Sequence, residues 1–343
     1  MKILVLAADY PNPNGGKNLY YIHSRNQYYV SKGLEVSVLN FAARHEYIID
    51  RVQVYTLKSY ANKLRNEKFD VLVCHAPNIR NHLLFLCKYG GSFPRIVFIF
   101  HGHEVLYCSK VYSKPFSYHR KLAAKRLVQN CYDVIKLPIL KRFFEKLAYK
   151  SWFVFVSRWM YEQFLQWVKI DPSIVEGRKS IIYNCVGSLF ECEHYNKATD
   201  KVYDFVTVRS SIDGSKYCID IVTDLARNNP QYSFLVIGHG DFYRFNEKPS
   251  NVIHLDKVLS HTDLIDILNK ARCALMPTRT DAQGVMACEI ATYGMPLITS
   301  DIPVCKEVFA GFDNVAFINN DSPNRNFCEI FEEITRVDIT QKN

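Results

Sequence analysis

The 343-residue chain predicts an α/β protein with two successive Rossmann-like domains, each built on a parallel sheet. Three observations carry that prediction. A continuous apolar strand, a glycine-bearing loop and a helix-compatible segment open the chain, a polar and acidic stretch at 191–200 reads as a linker, and the same alternation restarts at residue 204. We divide the chain accordingly into an N-terminal domain at 1–188, a C-terminal domain at 189–325 and a terminal helix and tail at 326–343.

Composition narrows the class. Apolar residues make up 48% of the chain, with 14 Gly and 13 Pro, which suits buried cores and not a disordered polymer. None of the eleven cysteines stands in Cys-x-x-Cys spacing or within a histidine cluster. Neither a zinc site nor a disulfide framework is suggested, and free thiols in a reducing cytosol fit best. The opening Met1–Asp9 is too brief for a signal peptide, and no later apolar run reaches about 18 residues. A cytoplasmic protein is expected.

Charge is concentrated in one place. Residues 105–150 hold eleven Lys and Arg against Asp133 and Glu145, an excess equal to the +9 of the whole chain. Tyr107, Tyr112, Phe116, Tyr118, Phe143, Phe144 and Tyr149 are interleaved with these bases. Such a segment suits an anionic membrane surface or an anionic glycan. Nucleic acid is the competing reading, and a solvated basic helix face is as good an account as either.

In chain order, Lys2–Ala8 is a buried strand, Asp9–Lys17 a turn-rich loop holding Gly15 and Gly16, and Asn18–Lys32 an amphipathic helix. The glycine pair lets a ligand approach the backbone, although two loop glycines more often only make a turn. Strands follow at Leu34–Phe41, Val52–Leu57, Asp70–His75 and Arg95–Phe100, the last ending in His101-Gly-His-Glu104. A polar cluster at the carboxyl end of a parallel strand lies where α/β sheets place ligands. The basic segment is expected to form helices in two or three pieces, interrupted at Pro138. Trp152–Val156 precedes Ser157, a natural helix N-cap, and Ser180–Tyr183 leads into Asn184-Cys-Val-Gly187.

The second half begins with the strand Asp204–Val208, then Arg209, a loop and Lys216 opening a helix through Asn228. Two fixed cations at that position can stabilise the negative charge of a leaving diphosphate. Ser233–Ile237 closes on Gly238-His-Gly240, and Asn251–Leu255, Thr262–Lys270 and Ala271–Met276 continue the alternation. The stretch Met276–Ser300 then organises the whole chain. It turns at Pro277, reaches Asp281, and passes Gly284 into a helix carrying Glu289. If Gly284, Val285 and Met286 form the first turn, their free N–H groups and the helix dipole favour a phosphate or a polar sugar. Val315–Ile318 is the last strand, and Ser322–Arg336 a terminal helix.

Asp281-x7-Glu289 with its internal glycine, followed by Ala291-Thr-Tyr-Gly-Met-Pro296, resembles the donor-site motif of the retaining glycosyltransferases of the GT-B fold, family 4 (glycosyl transferases group 1), in which the first acid is Glu. The order Arg209, Lys216, Gly238-x-Gly240, Asp281-x7-Glu289, Gly294-x-Pro296 is similar to that family as a set. The resemblance implies the GT-B fold, two Rossmann-like domains with parallel sheets facing a central cleft, donor held by the second and acceptor by the first, with the terminal helix crossing back to the N-terminal domain. It implies sugar transfer from a nucleoside-diphosphate sugar with retention, by front-face attack in which the departing phosphate helps take the acceptor's proton. His101 would lie near the reacting carbon, with Arg209 and Lys216 on the diphosphate, Glu289 on the ribose and Asp281 on the sugar. Gly15, Gly16, Gly238, Gly284, Val285 and Met286 would line the donor. For His103 a structural role is preferred.

No Asp-x-Asp occurs in the chain, so no metal and no other cofactor is expected. The expected partners are a nucleoside-diphosphate sugar and a glycan or lipid-linked saccharide of cell-surface polysaccharide biosynthesis, with residues 105–150 meeting the inner face of an anionic membrane and nucleic acid not a partner. Two alternatives stay open: a sugar-nucleotide epimerase or hydrolase on the same fold, and a non-catalytic GT-B-like binding protein.

Overall fold

Two parallel sheets organise the computed structural model, which describes residues 1–15 and 19–337. The chain divides into a first unit, Met1–Cys108 with Gln129–Cys185, and a second, Ser109–Val128 with Val186–Asn343.

The first unit holds an eight-stranded sheet. Its strands are β1 (Lys2–Ala7), β2 (Glu35–Asn40), β3 (Tyr47–Ile49), β4 (Val52–Tyr55), β5 (Val71–His75), β6 (Ile96–Phe100), β7 (Ser151–Phe155) and β8 (Lys179–Ile181), in the order β3-β4-β2-β1-β5-β6-β7-β8. All pairings are parallel except β3 with β4, an edge hairpin that the sequence did not announce. Central strands carry unbroken apolar runs because both of their faces are covered: Leu4, Val5, Leu6 and Ala7 are fully buried. Phe100 packs on Phe155 at 5.0 Å between ring centroids and on Phe164 of the helix Arg158–Val168 at 4.9 Å. Ser157 caps that helix, its Oγ accepting from the Met160 N–H at 3.0 Å.

The second unit holds six parallel strands, β9 (Tyr203–Ser211), β10 (Phe234–His239), β11 (Val252–Leu255), β12 (Ala271–Leu275), β13 (Leu297–Ser300) and β14 (Val315–Ile318), ordered β11-β10-β9-β12-β13-β14. β9, which carries Arg209 near its end, and β12 are central, so the segments after them, which carry Lys216 and Asp281, leave the sheet side by side.

Three expectations are corrected. The terminal helix was expected to return to the first domain, but Phe327, Phe331 and Ile334, one face of the helix Phe327–Arg336, are buried in the second unit's own core against Phe205. Residues 109–128 were placed in the N-terminal domain, yet they belong to the second unit. Phe116 packs on Phe242, Tyr118 stacks on Phe245 at 4.6 Å, and the Tyr118 hydroxyl donates to Asp213 at 2.8 Å. Pro138 interrupts nothing: one 28-residue helix, Arg120–Leu147, runs through it. Pro138 and Val134 are exposed, so water can satisfy the carbonyl whose partner N–H the proline lacks.

The basic and aromatic face of residues 105–150 is also narrower than its composition suggests. Phe144 is fully buried, Lys136 is enclosed in an ion pair with Asp133 at 2.7 Å, and Lys150 donates to the carbonyls of Gly90 and Phe93. No helix among the described residues is long and apolar enough to cross a membrane.

Candidate active site

Arg209 lies near the end of the central strand β9. Its Nη2 donates to the Pro277 carbonyl at 2.7 Å, tying it to the segment after β12. The guanidinium carbon sits 5.0 Å from the centre of the Tyr217 ring, and Lys216 Nζ sits 4.7 Å from the same centre. One aromatic ring thus gathers both cations. The Lys216 main chain is also tied down: its carbonyl accepts from the Arg279 N–H at 2.9 Å and from Thr278 Oγ1 at 3.0 Å. Arg279 in turn grips Asp220 with two bonds of 3.0 and 2.6 Å and the Ser215 carbonyl at 2.7 Å. The planar fork suits such bidentate pairing.

Gly238 is needed where it stands. Its φ is +147°, and a Cβ there would lie 2.3 Å from the Arg209 carbonyl oxygen, so any side chain displaces the backbone that carries the guanidinium.

Gly284 starts the helix Val285–Thr292 in the left-handed conformation, φ +78°, with no side-chain cap. The N–H groups of Val285 and Met286 have no intrahelical acceptor, and both residues are half-exposed. Asp281 Oδ1 accepts from the N–H groups of Ala282 at 2.8 Å and Gln283 at 3.3 Å, an Asx-type turn that aims the loop into the helix. Burial draws the Arg209 pKa down, and Asp281 supplies the largest opposing pull.

Glu289 lies one turn further in and is buried. Its Oε1 accepts from the Gly187 N–H at 3.1 Å. Desolvation pushes its pKa up to about 7, against the lowering effect of that single bond. Gly187 leaves no room to spare, since a Cβ there would meet Glu289 Oε1 at 3.2 Å.

The remaining predicted residues belong to the first unit. Gly15, φ +91°, is exposed after β1 and donates to the Asn12 carbonyl at 3.2 Å, while Gly16 lies outside the described residues. His101 follows β6. Its Nε2 is 3.0 Å from His75 Nδ1, its ring stacks on His75 at 20° and contacts Tyr21, and its N–H donates to Glu104 Oε1 at 2.5 Å. Desolvation, with Arg25 nearby, pushes the His101 pKa down to about 3, so the ring is neutral. His103 is exposed, with Nδ1 3.2 Å from the buried Cys108 Sγ.

Within the second unit the fold therefore brings together Arg209, Lys216, Gly238, Asp281, Gly284, Val285, Met286 and Glu289. His101 directly follows the carboxyl end of β6, and Gly15 lies in the loop after β1. Tyr217, Thr278 and Arg279 escaped the sequence reading. An aromatic residue directly after Lys216 was the one available signal, and the Arg279–Asp220 pair spans 59 residues without a local signature.

Residues 205–334 match the family model described as Glycosyl transferases group 1. A search of curated proteins found no sequence match. Among solved structures, sucrose-phosphate synthase from Thermosynechococcus elongatus superposes with a TM-score of 0.67 at 11% identity, over 98% of this chain and 92% of its own. WaaG, a glycosyltransferase involved in lipopolysaccharide biosynthesis, gives 0.61 at 14% identity, over 98% and 90%. HepE from Anabaena, solved in complex with UDP and glucose, gives 0.58 at 12%, over 98% and 92%. At these identities the likeness establishes the fold, two parallel-sheet domains of the GT-B type. With the family match it supports glycosyl transfer as the general chemistry.

Proposed function

We propose, on the premise that residues 205–334 match the group 1 glycosyl transferases, that the chain is a retaining, metal-independent glycosyltransferase. Its donor is a nucleoside-diphosphate sugar, and its acceptor a glycan or lipid-linked saccharide of cell-surface polysaccharide synthesis. The observation that carries the reading is the gathering of Arg209 and Lys216 on the Tyr217 ring, in the same unit as the uncapped helix start at Gly284.

Fixed cations aimed at a diphosphate lower the barrier by stabilising charge as it develops on the leaving group, with no reorganisation at the moment the bond breaks. Lys216 and Arg209 supply that charge, and the N–H groups of Val285 and Met286 add donors. Glu289 accepts from the ribose hydroxyls and Asp281 from the sugar. The leaving phosphate assists removal of the acceptor's proton, so no side-chain base is required, and neutral His101 serves as a hydrogen-bonding group near the anomeric carbon.

Attachment to an anionic membrane is part of this reading. The helix Arg120–Leu147 exposes Val134, Ile135 and Ile139 to solvent, with Ile135 61% exposed, and Arg142 and Lys146 follow them. Apolar insertion beside basic residues is the pattern of an in-plane helix. Flotation with liposomes should depend on anionic lipid, and indifference to it would end this part.

HepE of Anabaena was solved with UDP and glucose, which makes UDP-glucose the first donor to try. Product analysis with labelled donor should show anomer-retaining transfer that survives EDTA. Loss in EDTA restored by manganese, or release of free sugar alone, would overturn the mechanism.

A further inference from the structure

The first unit contains a cavity of about 560 Å³ none of whose lining residues has a role in the reaction proposed above. It opens beside Phe41, just past β2, between the segments Leu57–Leu64 and Ile79–Tyr89. Each segment contains a π-helical turn, Tyr60–Leu64 and Ile79–Leu83, the wider winding that inserts a residue into a helix and recurs at functional sites. Its wall is mostly hydrocarbon. Leu57 and Leu84 stand at the mouth 46% and 64% exposed, apolar side chains left in water with nothing to cover them.

The lip has a single sign. Lys58, Arg80 and Lys88 are exposed around it, no carboxylate lines it, and none of the three has an acidic partner among the described residues. Surface lysines and arginines of this protein do pair with acids elsewhere, as Lys63 does with Glu46, so the absence at this rim is local. An apolar slot with an unpaired cationic rim offers a hydrocarbon tail a dry wall and an anion three charge-assisted donors. A saccharide would find few polar partners there.

We propose that this cavity binds the phosphate-bearing end of an anionic lipid, its hydrocarbon against Phe41, Leu57 and Leu84 and its phosphate facing Lys58, Arg80 and Lys88. The assignment stands on first-unit residues alone and does not rest on the donor chemistry of the second unit.

The test uses the full chain and 1-palmitoyl lysophosphatidic acid below its micelle concentration, titrated by calorimetry beside lysophosphatidylcholine of the same chain and inorganic phosphate. Lysophosphatidic acid should bind at least tenfold more tightly than the choline lipid, and phosphate alone should neither bind nor compete. The combined substitution Lys58→Ser, Arg80→Ser and Lys88→Ser, and separately Leu84→Asn, should each weaken the acid lipid at least tenfold. No binding by the native chain, equal binding of the two lipids, undiminished binding by the variants, or full competition by phosphate would each overturn the proposal. A UDP-induced thermal shift is read on every variant. An unfolding midpoint and far-UV circular dichroism spectrum matching the native chain show an intact fold in the variants, and absence of the UDP shift from the native chain would count against the reaction proposed above and leave the lipid site standing.

Discussion

Glu289 is a carboxylate kept from water and given one hydrogen bond, and that arrangement has a pH signature. Its pKa is about 7 in the fold against an ordinary 4.5, so between those values the folded chain keeps a proton that the unfolded chain has released. Stability contributed by this group is therefore full below 4.5 and is lost as pH rises through 7, by about 3 kcal/mol in total. Glu289→Gln removes the titration. Urea unfolding at pH 5 and pH 8 should show the variant gaining on the native protein across that interval, and parallel profiles would refute it. Tyr217 makes a separate prediction. Tyr217→Leu removes the ring that holds Arg209 and Lys216, at about 1–2 kcal/mol for cation–π contacts that are partly desolvated. Calorimetric titration should show roughly tenfold weaker UDP binding with the midpoint of unfolding little changed. The contact of the Tyr217 ring with both cations was not legible in the sequence. The placing of Arg209 near the end of a central strand was, because the strand's apolar run stops there.

At the level of elements, the two site glycines separate conformation from space. Both have positive φ, but a Cβ at Gly284 would meet nothing nearer than 3.6 Å, whereas at Gly238 it would strike the Arg209 carbonyl. Gly284→Ala should therefore cost about 1 kcal/mol of backbone strain, and Gly238→Ala at least about 2 kcal/mol together with loss of UDP binding as Arg209 is displaced. Chemical denaturation of the two variants side by side checks the order, and the reverse order would contradict the geometry. The interior strands could be read directly, since a strand covered on both faces must be apolar throughout, as Leu4–Ala7 is. β3 could not. Tyr47–Ile49 has only three residues, two of them half-buried, and edge pairing leaves no periodic trace. Pro138 misled for a different reason: its cost depends on whether solvent reaches the freed carbonyl, which is a tertiary fact.

For the whole molecule, donor binding should be readable unit by unit. With UDP at about a hundred times its dissociation constant, the folded state gains roughly 2.7 kcal/mol. Hydrogen exchange should then slow at residues 209–217 and 281–289, which hold the cations and the helix start. Protection confined to the β1–β8 sheet would place the nucleotide elsewhere. The domain count was legible in the repeat of the alternating pattern, but the membership of residues 109–128 was not. What assigns them is Phe116 on Phe242 and Tyr118 on Phe245, contacts between positions more than a hundred residues apart.

Because Ser109–Val128 belongs with the second unit while the residues on both sides belong to the first, the backbone passes between the units three times. A gene fragment starting at Val186 would thus encode the second unit stripped of one of its own walls. Phe242, otherwise sealed by Phe116, would open to solvent, and such a truncation should clump on expression. Supplying residues 109–128 as a separate peptide should restore its solubility, and a Val186 fragment that stayed monodisperse unaided would show that the wall is dispensable.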